Sequence, residues 1–202
     1  MSNQENKDSK GYFEKFLAFD CETSGINFES TTPDINYQMV SCGLVVSDLN
    51  FRPLAELYVE IKWNGTARWD KGAERIHKLS MKYLDENGLT EEEAAVEIGS
   101  FLLEHFGSET PIVLLGHNVG NFDIFFLKKL LKKFDIPAKF SHRTMDTFGL
   151  SMGTVQCYNS DELFEVLDIQ QMRNTHNALY DAKYALEVFR KINRLWTTRV
   201  MQ

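Results

Sequence analysis

The sequence predicts one α/β domain: a mixed β-sheet whose first three strands form a meander and whose later strands are joined by parallel crossovers, flanked by helices. Three observations lead there. Short apolar runs of strand length come first, separated by turn residues. Later apolar runs alternate with segments of helical period. The 202 residues are 43% hydrophobic and 25% charged, enough to bury one core without staples. The domain is expected over residues 13–197, between a polar N-terminal tail at 1–12 and a C-terminal tail at 198–202.

Phe16-Leu17-Ala18-Phe19-Asp20 has the length and aromatic content of a buried strand, and it ends in an acid. Thr23-Ser24-Gly25 turns the chain into a polar loop at 26–36. Gln38 to Val46 and Leu54 to Lys62 read as two strands joined by a hairpin over Asp48 to Pro53, the second alternating through Leu57, Val59 and Ile61. Between 63 and 90 only Gly72 to Leu79 reads as a short helix, and Asn87-Gly88 as a turn. Thr90-Glu91-Glu92-Glu93 fits a capping box, and the helix behind it carries Ala94, Ile98, Phe101 and Leu102 on one stripe to about Phe106. Pro111 to Gly116 reads as a buried strand. A helix from about Asn121 carries Phe125, Phe126, Leu130 and Leu131 and stops before Pro137. Arg143 to Asp146 has a strand-like position. Ser160 can cap a helix covering Leu163, Val166 and Leu167, and a last helix runs from about Ala178 to Trp196 with Leu179, Ala182, Leu186 and Phe189 on one stripe.

Three cysteines, Cys21, Cys42 and Cys157, argue against a disulfide framework and for a reducing compartment, hence a cytoplasmic location. No apolar run approaches the ~20 residues that cross a bilayer, so no membrane partner is expected. The net charge of −7 hides a polarity. Residues 1–110 hold 10 Lys+Arg against 20 Asp+Glu, whereas residues 111–202 hold 12 against 9.

The acids fall into three constellations. Asp20 and Glu22, two apart where a strand ends, share a face, while Phe19 and Cys21 share the other. Two like charges side by side are costly unless a cation sits between them, although solvated acids in a turn would read the same. Asn118 and Asp123 follow a second strand, with Asp123 in the first turn of a helix, where it would also serve as a dipole partner. His176 and Asp181 lie five apart, which on a continuous helix would leave them roughly 140° apart. His176 therefore precedes the helix, with Asn177 as its N-cap.

In order along the chain, these segments resemble the DEDDh family of 3′→5′ exonucleases, the group of proofreading subunits, RNase T and oligoribonuclease. Phe19-Asp20-Cys21-Glu22-Thr23-Ser24-Gly25 is similar to the first motif and Gly116-His117-Asn118, with Asp123, to the second. Asp146-Thr147 resembles an Asp-Thr between the second and third motifs. Arg173-x-x-His176-x-Ala178-Leu179-x-Asp181-Ala182 resembles the third. The resemblance covers roughly residues 14–192 and implies an RNase H-like fold. It departs in the long 26–37 loop and in the 63–88 segment, both of which bear on specificity.

The resemblance implies two divalent ions, Mg²⁺ with Mn²⁺ able to substitute. Asp20 would bridge them, Glu22 and Asp181 would complete one site, and Asp123 would hold the second ion through water. His176 would be the general base. With four acids neutralised, the working charge rises to about −3. Thr23, Ile26 and Asn118 are the implied substrate contacts, Ile26 as a wedge against the terminal base. The implied partner is single-stranded nucleic acid with a 3′ end, DNA slightly ahead of RNA. The protein partners considered are a second copy of the chain and a polymerase or other replication or repair protein. The alternatives are an exoribonuclease of oligoribonuclease type and a non-catalytic adaptor that keeps the fold.

Lys128, Lys129, Lys132 and Lys133 admit two readings, favourable charge at a helix C-terminus or a phosphate track. Arg190, Lys191, Arg194 and Arg199 pose the same question. Trp63, Trp69 and Trp196 suit either base stacking or the core.

Overall fold

The computed structural model describes residues 13–26, 36–157, 159–169 and 176–200, with side chains as far as Leu195. The polar tail at 1–12, most of the loop after Ile26, Arg173 and the side chains of Trp196 and Arg199 lie outside the described residues.

Five strands, β1 (Phe16–Thr23), β2 (Met39–Ser47), β3 (Pro53–Glu60), β4 (Ile112–Gly116) and β5 (Phe140–Asp146), form one sheet in the order β3-β2-β1-β4-β5. β1 pairs antiparallel with β2 and β2 with β3, while β4 lies parallel to β1 and β5 parallel to β4. This is the expected meander followed by crossovers. All nine residues of β2 are buried, and the edge strand β3 leaves Leu54 exposed.

Among the described residues seven helices flank the sheet: α1 (Lys71–His77), α2 (Met81–Asn87), α3 (Glu91–Phe106), α4 (Asp123–Lys133), α5 (Thr147–Thr154), α6 (Ser160–Val166) and α7 (Ala178–Val200). The alternation of β1 sorts the two faces. Leu17, Phe19 and Cys21 join Ile98 and Leu102 of α3 and Phe126, Leu127 and Leu130 of α4 in the larger core. Ala18, with Val45 and Leu115, packs against Ala182, Ala185, Leu186 and Phe189 of α7. Asp20 and Glu22, in phase with Ala18, therefore point to the α7 side.

α7 can reach them because of a glycine. Gly43 of β2 pairs directly with Asp20 of β1. A Cβ at Gly43 would fall 2.3 Å from the Leu179 backbone, far inside contact distance, so the first turn of α7 rests on bare strand.

Several local features follow the sequence. The Thr90 hydroxyl accepts from the Glu93 N–H, and the Glu93 carboxylate accepts from the Thr90 N–H, the reciprocal box expected there. The Asn177 side chain caps α7, accepting from the N–H groups of Leu179 (3.1 Å) and Tyr180 (3.3 Å).

Others differ. α2 and α5 were not expected; Ser80 caps the first and Asp146 the second, each accepting from a backbone N–H of the first turn. Asn159, not Ser160, caps α6. Phe125 and Val166 are exposed rather than packed, and their neighbours Ile124, Leu127 and Phe164 take the buried positions. α7 continues past Trp196 to Val200, three residues beyond the expected domain end at 197. The three cysteines are buried and unbridged. Among the described residues no helix is long and apolar enough to cross a membrane.

Candidate active site

At the carboxyl ends of β1 and β4 the surface opens into a cavity of about 290 Å³. Asp20, Glu22, Asp123, Asp181 and His176 all line it, with Ile26 and Asn118. Segments more than 100 residues apart in sequence thus deliver their acids to one place. Thr23 is buried outside that wall, and its hydroxyl donates to the Gly25 carbonyl (2.8 Å).

Asp123 is the buried acid, 4% exposed at the first position of α4. Its Oδ1 accepts from the Cys21 N–H (3.0 Å) and from the Cys21 thiol (3.2 Å). Burial pushes the Asp123 carboxyl up to about 7, against the lowering effect of the two Cys21 donors; the Asp146 charge adds a smaller upward push. Burial likewise raises the Cys21 thiol well above its ordinary range, which keeps it a hydrogen-bond donor.

The loop that delivers Asp123 is a tight one. Asn118 takes a left-handed backbone, φ 58°, which asparagine tolerates better than most residues. Its carbonyl accepts from the N–H groups of Asn121 (3.0 Å) and Phe122 (3.1 Å), so the chain turns straight from β4 into α4.

On the opposite side, Glu22, His176 and Asp181 each offer a ligand atom within 4.8 Å of the other two. His176 precedes α7, as its spacing from Asp181 required. Its Nδ1 lies 3.6 Å from Asp181 Oδ2, and its side chain is 52% exposed against 13% for Asp181. The Asn177 N–H donates to the same carboxylate oxygen (3.2 Å). A fixed acid on the helix thus stands beside an imidazole on the loop.

The sequence reading missed some of the wall. Cys21 stands inside the first motif, but strand parity alone puts its side chain on the opposite face and gives it no role in the wall it lines. His117 and Thr147 line the cavity and share a hydrogen bond, Nδ1 to Oγ1 at 2.8 Å. Both stood in quoted motifs, which was the available signal. Phe122, beside Asp123 in the second motif, lines the cavity too, as do Ser160, Phe164 and Ala185, which carried no such signal.

Carboxylate oxygens in this number are hard donors of the kind that hold divalent cations, with an imidazole at the edge. A cation would also relieve the burial cost at Asp123. The residues fit such a group.

This mixed sheet, with a cluster of acids and a histidine at its strand ends, has the architecture of an exonuclease domain. The family model for exonucleases of RNase T type matches residues 17–189, and the chain belongs to that RNase T/DEDDh exonuclease family, which typically uses divalent metal ions. Among curated proteins it is similar to the 3′-5′ DNA exonuclease Cap18 of Escherichia coli, 26% identical over 186 residues that make up 90% of this chain and 93% of that one. The fold is shared with E. coli exonuclease I. The complex with a dT13 oligonucleotide gives a TM-score of 0.73 at 15% identity, over 92% of this chain and 43% of that one. The complex with a dA16 oligonucleotide gives 0.74 at 15% identity, over 90% and 41%. Exonuclease I from Methylocaldum szegediense gives 0.70 at 16% identity, over 90% and 41%. The chain therefore spans about two fifths of the exonuclease I chains it matches.

Proposed function

We propose that the protein is a metal-dependent 3′→5′ exonuclease that removes 5′-mononucleotides one at a time from single-stranded or frayed DNA. The observation that carries this reading is the convergence of four carboxylates and one histidine, from three distant segments, on a single cavity. The DNA preference is supported by the similarity to a DNA exonuclease.

Asp20, Glu22, Asp123 and Asp181 would hold two divalent ions, Mg²⁺ or in its place Mn²⁺. When bound, such a pair stabilises the negative charge that grows on the attacking and leaving oxygens of the phosphodiester. His176 takes the proton from the attacking water: imidazole is the side chain suited to general-base work, and this one stands half exposed at the edge of the acids. The water oxygen bonds to phosphorus as the P–O3′ bond breaks; the phosphate leaves on the released nucleotide, and the freed O3′ takes a proton from solvent to become the new 3′-hydroxyl. Asp181, with the Asn177 N–H on its Oδ2, orients the imidazole. Ile26, 37% exposed at the rim, packs against the terminal base, and Asn118 braces the loop beneath it.

Digestion of matched 3′-labelled and 5′-labelled DNA and RNA oligomers with Mg²⁺ tests the proposal. Mononucleotides released from the 3′ end, and lost in Asp20→Ala, are expected. Internal cuts, 5′-end attack or no hydrolysis would overturn it; faster digestion of the RNA set would favour the exoribonuclease alternative.

A further inference from the structure

Resting on that nuclease reading, we propose that the outer face of α4 and the facing end of β5 form a track for the single strand behind its 3′-terminal nucleotide. A second hollow opens beside the acid cavity and shares Asn118 with it; Phe125, Lys128, Thr144 and Phe148 are among its walls. A third shares Lys128 with the second and adds Lys132 and Phe140. Each hollow thus adjoins the next across a shared wall residue, and the series starts at the acid cavity.

The sequence of α4 explains the path. Phe125, Lys128 and Lys132 are spaced i, i+3, i+7 and so form one stripe down the helix, about 10 Å long. Phe125 is 41% and Phe148 46% exposed, so two rings are offered to the hollow nearest the acids. The four lysines that looked equivalent in sequence divide into two pairs. Lys129 donates to the Tyr37 carbonyl (3.2 Å) and Lys133 pairs with Glu91, so this pair ties α4 to its neighbours. Lys128, which lies over the Phe140 ring at 5.8 Å, and Lys132 face the hollows instead.

The chemistry sorts the strand along this path. Asp146 stands in the wall of the near hollow, its carboxylate accepting from the Phe148 N–H (2.9 Å). A carboxylate there repels phosphates, so the near hollow takes bases, stacked on Phe125 and Phe148. The backbone then runs on the lysine side, where two ammonium groups neutralise phosphates. Aromatic platforms with a basic groove bind single strands with little regard to sequence.

The test compares two substrates in Mg²⁺ at 50 and 200 mM salt. Thymidine 5′-(p-nitrophenyl phosphate) occupies the acid cavity alone; dT8 also reaches the track. The Lys128→Ala/Lys132→Ala double variant is expected to raise the KM for dT8 relative to that for the small ester. It should also flatten the salt dependence for dT8 by about 1.4 in log–log slope, so that the salt step weakens the wild type about sevenfold more than the variant. Phe125→Ala should raise the dT8 KM about fivefold or more. Lys133→Ala, outside the track, should keep the wild-type slope. A double variant with the wild-type slope, together with Phe125→Ala at the wild-type KM, would overturn the track and leave the nuclease reading standing. A wild-type protein that hydrolyses neither substrate would overturn the nuclease reading, and the track with it.

Discussion

The two walls of the acid cavity are built on different principles. On the α4 side Asp123 is buried and fixed by both the amide and the thiol of Cys21, inside the larger core. On the α7 side His176 is half exposed on a loop and shares Asp181 Oδ2 with the Asn177 N–H. The first wall stores the cost of a desolvated charge; the second leaves its imbalance to solvent. The difference teaches a division of labour. On the function proposed above, Asp123 as a cation ligand would gain from rigidity, because its geometry must exist before the cation arrives, and His176 as a base would gain from access to solvent, because it must accept a proton and then release it.

Breaking the rigid wall has the largest expected effect. Asp123→Asn should lower kcat by roughly a thousandfold or more, the value of several kcal/mol of lost charge stabilisation, measured by mononucleotide release. The same variant should make the metal-free protein more stable at pH 8, read as a higher midpoint in denaturant melts. The sign follows from the raised carboxyl: the folded form keeps its proton from near 3.8 up to about 7, so stability is lost as pH rises through that window and asparagine removes the loss. Breaking the half-exposed wall is next. His176→Ala should reduce kcat by roughly 10²–10⁴-fold with no change in melting temperature, since the side chain is half exposed.

Two smaller changes sharpen the comparison. Cys21→Ala removes the thiol donor that lowers the Asp123 carboxyl and leaves the amide; it should weaken divalent-ion binding by roughly tenfold in titration calorimetry and move its pH dependence to higher pH. His77 supplies the contrast away from the cavity. It is buried, with Nδ1 accepting from the Leu79 N–H (3.0 Å), and burial lowers its pKa from 6.5. The unfolded chain therefore takes up its proton first, so the protein should lose stability as pH falls below 6.5. His77→Asn keeps an acceptor for the Leu79 N–H and should flatten that acid limb in pH-dependent melts.

Much of this site could be read from the chain because strand parity and helix spacing are local rules. Asp20 and Glu22 share a face by period two, and His176 leaves α7 because five residues do not return to one side of a helix. The capping box at Thr90 was equally local. What escaped needed the tertiary arrangement. Phe125 and Phe126 are adjacent and equally apolar, and only the position of the sheet decides that Phe126 is buried and Phe125 exposed. The four lysines of α4 look alike until Tyr37 and Glu91 claim two of them. Cys21, in a buried strand, gave no hint that a partner 102 residues away would accept from both its amide and its thiol. α2 and α5 are seven and eight residues long, too short for a periodic stripe to declare itself.

Gly43 sets the gauge between the two walls. Its missing side chain is the clearance that lets the start of α7 sit on the sheet opposite Asp20. One methyl group there would act as a shim: it would lift α7 and carry His176 and Asp181 outward together, widening the gap to Asp20 and Glu22. A position in the middle of an apolar strand, bearing no functional group, would then govern turnover as tightly as any acid, and a saturation screen would find it as a hydrolysis-defective hit that still folds.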